Sequence, residues 1–193
     1  MVDMSNILYI HGFNSSPLSY KAEQMRQYLD EHLPHVNFIC PQVAFSPQSA
    51  ISQLEAIVEK YLGEPLYLIG SSLGGYLSTF LAQKYQLQAC LVNPAIRPYE
   101  LLSDYIGWQE NPYTNEKYRV EPAHMGQLKA IEQQKIDVNR YLVMVQTGDE
   151  VLDYRQAVDK FQDSQLIVQQ GGDHSFVQFK EMLPVITRFF QLQ

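Results

Sequence analysis

The chain has 193 residues, 46% apolar and 18% charged, with 10 Gly and 10 Pro; this excludes disordered, collagen-like and disulfide-stapled chains and leaves a soluble globular one with a single compact core. Fourteen Lys and Arg against 21 Asp and Glu give a net charge of −7, and such a field repels polyanions, so nucleic acid and anionic membrane surfaces are poor partners. Cys40 and Cys90 sit in apolar runs without C-x-x-C or Cys/His clustering, a pattern of buried free thiols in a reducing cytosol and not of zinc or redox chemistry. Residues 1–10 contain no Lys or Arg and leave no room for a cleavable signal, and no apolar run approaches the roughly 18 residues of a membrane span. The expectation is a cytoplasmic protein whose residues 1–193 form one domain.

Short β-rich runs at 7–10, 36–40, 66–69, 89–92, 141–145 and 166–168 alternate with longer helical patterns. Several of the runs are continuously apolar, as parallel strands covered on both faces require. The helical faces include Ile51, Leu54, Val58, Tyr61 and Leu62, then Leu73, Tyr76, Leu77, Phe80 and Leu81, and lastly Phe176, Phe179, Leu183, Ile186 and Phe190. Strand and helix alternating in this way predict right-handed crossovers and a doubly wound α/β fold, a mostly parallel sheet with helices on both faces. Ligands of such sheets gather at the strand carboxyl ends. The only long connection precedes residue 141. It is expected to hold a helix on either side of an insert, at about 98–135, whose Tyr105, Trp108, Tyr113 and Tyr118 suit a small cap or an ordered loop.

After the third strand the chain reads Gly70-Ser71-Ser72-Leu73-Gly74, which places Ser72 at the centre of G-x-S-x-G. In this nucleophile-elbow pattern a tight strand-to-helix turn strains the serine backbone and exposes its hydroxyl, and Gly70 and Gly74 lack side chains where backbones crowd. A serine hydroxyl needs a base. Of the five histidines only His174 follows the last strand, in Gly171-Gly172-Asp173-His174; His32 and His35 flank Pro34 as solvated helix-end residues, and His124 in the insert is the reserve. The base in turn needs a carboxylate, and the order Ser, acid, His selects the loop after the fifth strand. Asp149 is the candidate, with Glu150 and Asp153 as rivals. Asp153 suits an N-cap better, and Asp173 adjoins His174 too closely in sequence to reach its ring. Acyl transfer also needs amide donors for an oxyanion. The Leu73 N–H at the helix start is one candidate and the Phe13 N–H the second, with Gly12 permitting the turn that aims it. His11 is expected to brace that loop.

The elbow, the His-Gly loop, the acid loop and the terminal histidine together resemble the α/β-hydrolase superfamily. The strings HGFNSSP, GSSLGGY, VNPAIRP, ENPYT and GDEVLDYRQA narrow this to a resemblance to the small bacterial esterases of the YqiA type. The resemblance implies a three-layer core that lacks the superfamily's first two strands, a six-stranded sheet in the order 2-1-3-4-5-6, and a catalytic trio on Ser72, Asp149 and His174. It also implies hydrolysis of small-molecule acyl esters, with acyl-CoA thioesters a further candidate class, and no metal or organic cofactor. Two rival readings are a phosphate- or nucleotide-binding module built on the glycine-rich turn and a non-catalytic hydrolase-fold protein. The first lacks G-x-G-x-x-G and G-x-x-x-x-G-K-[ST], and neither accounts for a histidine and a carboxylate on the matching loops.

Overall fold

The computed structural model describes residues 4–192, so the segment screened above for a signal peptide begins outside the described residues. In chain order the elements are β1 (Asn6–Ile10), α1 (Tyr20–His32), β2 (Asn37–Ile39), α2 (Pro47–Lys60), β3 (Leu66–Ser71), α3 (Leu73–Tyr85) and β4 (Gln88–Val92). An inserted region follows, with α4 (Pro98–Leu101), β5 (Gly107–Glu110), β6 (Lys117–Val120) and α5 (Pro122–Ala130). The chain then closes with β7 (Tyr141–Gln146), α6 (Tyr154–Lys160), β8 (Gln165–Gln169) and α7 (Phe179–Phe189).

Six strands form one sheet in the order β2-β1-β3-β4-β7-β8, and every neighbouring pair is parallel. This is the expected 2-1-3-4-5-6 order once the hairpin strands are set aside. Alternate residues of each strand feed two cores. Ile7, Tyr9, Ile69, Cys90 and Met144 pack beneath α1 and α7, whereas Leu8, Ile10, Leu68, Leu91 and Val143 pack beneath α2, α3 and α6. Burial on both faces is the reason the strands read as unbroken apolar runs.

The hairpin of β5 and β6, antiparallel and apart from the main sheet, lies within the expected insert between a helix on either side. Its strands show half-exposed alternation and so lack the continuous apolar signal by which the other strands were read. Two expected helical faces need correction. Leu62 falls beyond the end of α2 and is exposed, and α3 is buried around most of its circumference because it lies over the middle of the sheet. The final stripe holds: Phe176, Phe179, Leu183, Ile186 and Phe190 are all buried. Cys90 is buried and Cys40 only half-buried, both as free thiols. Burial pushes the Cys40 thiol up to about 12 and that of Cys90 still higher, so neither is a reactive thiolate.

The start of α3 is pressed against the end of β1. A Cβ on Gly74 would strike the carbonyls of Ile10 and His11, and one on Gly70 would strike the Gly74 carbonyl and Ser78 Oγ. Backbone cannot yield as a flexible side chain can. Gly74→Ala is therefore expected to cost about 3 kcal/mol or more, while Gly126→Ala within α5, where an added Cβ meets nothing, should stabilise by roughly 0.5–1 kcal/mol. Urea unfolding of both variants checks this; equal effects would contradict close packing at the elbow.

Candidate active site

Ser72 lies between β3 and α3 with φ 55° and ψ −121°, a backbone conformation that L-residues rarely adopt and that costs of order 1–3 kcal/mol. Surrounding hydrogen bonds hold it there. Its N–H donates to the Val92 carbonyl at 3.1 Å, and its own carbonyl accepts from the N–H groups of Gly75 at 2.9 Å and Ala95 at 3.0 Å. The turn lifts the serine out of the sheet at its carboxyl edge, where the loops after β7 and β8 also end.

His174, on the loop after β8, approaches from that edge. Its Nε2 lies 3.1 Å from Ser72 Oγ, and its Nδ1 lies 2.9 and 3.0 Å from the two carboxylate oxygens of Asp149. The Asp149 side chain is only 2% exposed. Burial alone would raise its pKa, but the hydrogen bond from His174, the N–H groups of Leu152 and Val151 at 2.8 and 2.9 Å, and the imidazole's charge hold it below the usual carboxylate range. An ionised Asp149 fixes the tautomer with hydrogen on Nδ1, which leaves Nε2 free to accept the Ser72 proton.

The rival acids do other things. Asp153 caps α6 through the Arg155 N–H. Asp173 accepts from the Ser175 N–H, and Glu150 accepts the backbone N–H of His174 at 3.0 Å. Among the histidines, His124 sits in the first turn of α5, where its ring accepts the Glu121 N–H, and His32 ends α1 stacked on Tyr28. His11 is buried. Its Nδ1 donates to the Gly12 carbonyl and its Nε2 accepts the Val43 N–H, each at 3.0 Å; burial lowers its pKa, so it is a neutral brace, as expected.

Gly12 serves differently from its expected role. Its φ is not positive; a Cβ here would instead lie 3.1 Å from Ser72 Cβ and 3.3 Å from the Ser71 carbonyl. Gly12 is a glycine because the serine needs the space. The Phe13 and Leu73 N–H groups have no hydrogen-bond partner among the described residues. Both residues, with Gly12, Leu77, Met125 and Leu128, line a narrow slot of about 50 Å³. Phe13 packs edge-on against Tyr105 and Tyr118 of the insert, and Asn111 donates to the Ser15 carbonyl at 3.0 Å, so the hairpin is fastened to the same loop.

Two residues that sequence reasoning passed over carry the His174 loop. Buried Asn93 donates to the carbonyls of Asp173 at 3.0 Å and His174 at 3.2 Å while accepting the Gln146 N–H. Buried Gln146 accepts the N–H groups of Asp173 and Val177 and donates to the Val177 carbonyl. Each is a polar residue that ends an apolar strand run, and that signal could have found them.

A family model described as an uncharacterised protein family, UPF0227, matches residues 6–191. A UPF0227 protein of Pectobacterium atrosepticum is 22% identical over 183 residues, covering 94% of this chain and 95% of that protein. One of Pasteurella multocida is 26% identical over 101 residues, covering 52% of this chain, and the match spans only 56% of that relative's length. Similar solved structures include mouse alpha/beta hydrolase domain-containing protein 10, with a TM-score of 0.73 at 16% identity, covering 96% of this chain and 89% of that one. Est1E of Butyrivibrio proteoclasticus with bound ferulic acid gives 0.71 at 13%, covering 98% and 89%. A monoacylglycerol lipase of Paleococcus ferrophilus gives 0.71 at 14%, covering 97% and 95%. The fold is that of the α/β hydrolases.

The depressed pKa of Asp149 has a measurable sign. Its carboxylate contributes stability fully above the unfolded value of about 3.9 and loses that contribution as the pH falls through the lower folded value. Urea unfolding at pH 7 and pH 3 should therefore show a larger loss of stability in the wild type than in Asp149→Asn. Equal losses would mean that Asp149 is not held ionised.

Proposed function

This chain belongs to the UPF0227 family, and from the arrangement around Ser72 we propose that it is a serine hydrolase that cleaves small-molecule carboxylic esters through an acyl-enzyme. Ser72 Oγ attacks the ester carbonyl as its proton passes to His174 Nε2, and ionised Asp149 stabilises the resulting imidazolium. The Phe13 and Leu73 amides receive the oxyanion, with the N-terminus of α3 in support. The C–O bond to the leaving group then breaks, and the alkoxide takes the proton from His174. Water, deprotonated by His174, next attacks the acyl-serine and releases the acid.

The observation that carries this reading is the pair of hydrogen bonds on one imidazole, to Ser72 Oγ at 3.1 Å and to Asp149 at 2.9 Å. The apolar slot beside Phe13 and Leu73 suits an acyl chain, and acyl-CoA thioesters fall within the same chemistry. In this reading the chain is a single domain in which residues 98–135 form the cap over the slot, and its free thiols suit the cytoplasm. The esterase reading also draws on Est1E and the monoacylglycerol lipase, whose folds this chain shares.

Turnover of 4-nitrophenyl butyrate tests the roles one by one. Ser72→Ala and His174→Ala should lower kcat by about 10⁶-fold and Asp149→Asn by roughly 10⁴-fold, with circular dichroism unchanged. Asp153→Asn should keep near wild-type turnover and stability, because asparagine caps a helix about as well as aspartate. An active Asp149→Asn beside a crippled Asp153→Asn would contradict the acid assignment, and near-normal turnover by His174→Ala would remove the base.

A further inference from the structure

A second cavity, of about 160 Å³, is lined by Ser71, the residue before Ser72, and by Ser175, the residue after His174. His11, Gly12 and Ser15 contribute to the walls of both this cavity and the apolar slot, and Gly12 packs against Ser72, so the two spaces flank the loop beside the serine, one on the face of Tyr9 and the other on that of Leu77. Their linings differ in kind. The second is bounded by Tyr9 and Ser71 of the sheet, Ser19 and Lys21 at the start of α1, and Ser175 next to His174.

Three features of this cavity lack a counterpart. The Tyr9 side chain is fully buried, and its hydroxyl, with the Ser71 hydroxyl beside it, completes no hydrogen bond of good geometry among the described residues, a costly state for a buried polar group. Burial pushes the Tyr9 phenol far above its ordinary range, so it remains a neutral O–H donor. Ser19 at the N-cap of α1 makes no side-chain cap bond, and the N–H groups of Tyr20, Lys21 and Ala22 find no acceptor among the described residues. Lys21 Nζ donates once, to the Ser175 carbonyl at 2.8 Å, and forms no ion pair among the described residues. Burial draws its pKa down to about 8 against the opposing influence of Asp173 and Asp149. Each of these groups can donate a hydrogen bond or carries a positive charge, and in a chain of net charge −7 together they would favour an anion.

We infer that this cavity is the leaving-group subsite of the hydrolase reading, and that the ester cleaved at Ser72 carries an anionic group, a carboxylate or a phosphate, on its alcohol. Lys21 Nζ, the Tyr9 hydroxyl and the first turn of α1 hold that group while the acyl chain occupies the apolar slot. The anion thereby orients the C–O bond so that the departing alkoxide faces His174, from which it takes its proton.

The inference rests on the proposed hydrolysis and is tested apart from it by matched ester pairs. One pair is 4-nitrophenyl butyrate and its 3-carboxy derivative; the other is monobutyrylglycerol and monobutyrylglycerol 3-phosphate, and each rate is normalised to that ester's hydroxide-catalysed rate. The wild type should favour the anionic member in kcat/KM on the order of tenfold; the pair with the larger preference tells carboxylate from phosphate. That ratio should fall towards one in Lys21→Met, fall in Tyr9→Phe and return in part with Lys21→Arg. A wild-type ratio near one overturns the subsite. An equal loss on both members in Lys21→Met does so too, because it assigns Lys21 to holding the His174 loop through Ser175. If no ester of either pair is hydrolysed, the hydrolase reading fails instead. Calorimetric binding of glycerol 3-phosphate and 5-hydroxy-2-nitrobenzoate, retained by the wild type and lost in Lys21→Met, then decides the anion site alone, and absence of binding overturns it.

Discussion

The arrangement depends on a serine held at φ 55° against its own conformational preference. Nothing in Ser72 itself sustains that geometry; the packing of α3 against the end of β1, the hydrogen bond to the Val92 carbonyl and those from the Gly75 and Ala95 N–H groups do. Strain of this sort persists only where the surroundings over-determine it. Gly70 and Gly74 let the helix approach, and Gly12 leaves the hydroxyl room on the far side. Without that close approach the serine would relax into the sheet plane and away from His174.

Parallel topology does the rest of the assembly. All six main strands point the same way, so the loops after β1, β3, β7 and β8 emerge at one edge although they are distant in sequence. Asn93 and Gln146 then bind the His174 loop to the ends of β4 and β7 by their side chains. The two faces of the sheet differ at this edge: an apolar slot under the insert on one, a donor-rich cavity beside α1 on the other. In the reading proposed here, the scissile bond lies across that boundary.

Much of this was legible in the chain. Six buried parallel strands announce themselves as apolar runs because both their faces are covered, and the order of Ser72, Asp149 and His174 along the sequence matched a topology that brings those loops together. What stayed hidden was local and relational. The hairpin around Trp108 has one solvated face and so no continuous apolar signal. Leu62 continues the spacing of α2 past its end, which periodicity cannot detect. The need for glycine at position 12 arises from Ser72, 60 positions away in the chain. Asn93 and Gln146 stand out only as polar residues that end apolar runs, without a hint of what they bind; Lys21 and Tyr9 matter through partners far off in sequence, or through the want of one, and neither is visible in a single chain read alone.

If an imidazole polarised by a buried carboxylate makes one hydroxyl nucleophilic, covalent trapping will report it. Treatment with a fluorophosphonate followed by peptide mass spectrometry should place a single phosphonyl adduct on Ser72, with labelling abolished in Ser72→Ala and slowed by orders of magnitude in His174→Ala. Labelling that persists in Ser72→Ala, or a wild-type protein that resists the probe, would contradict the account.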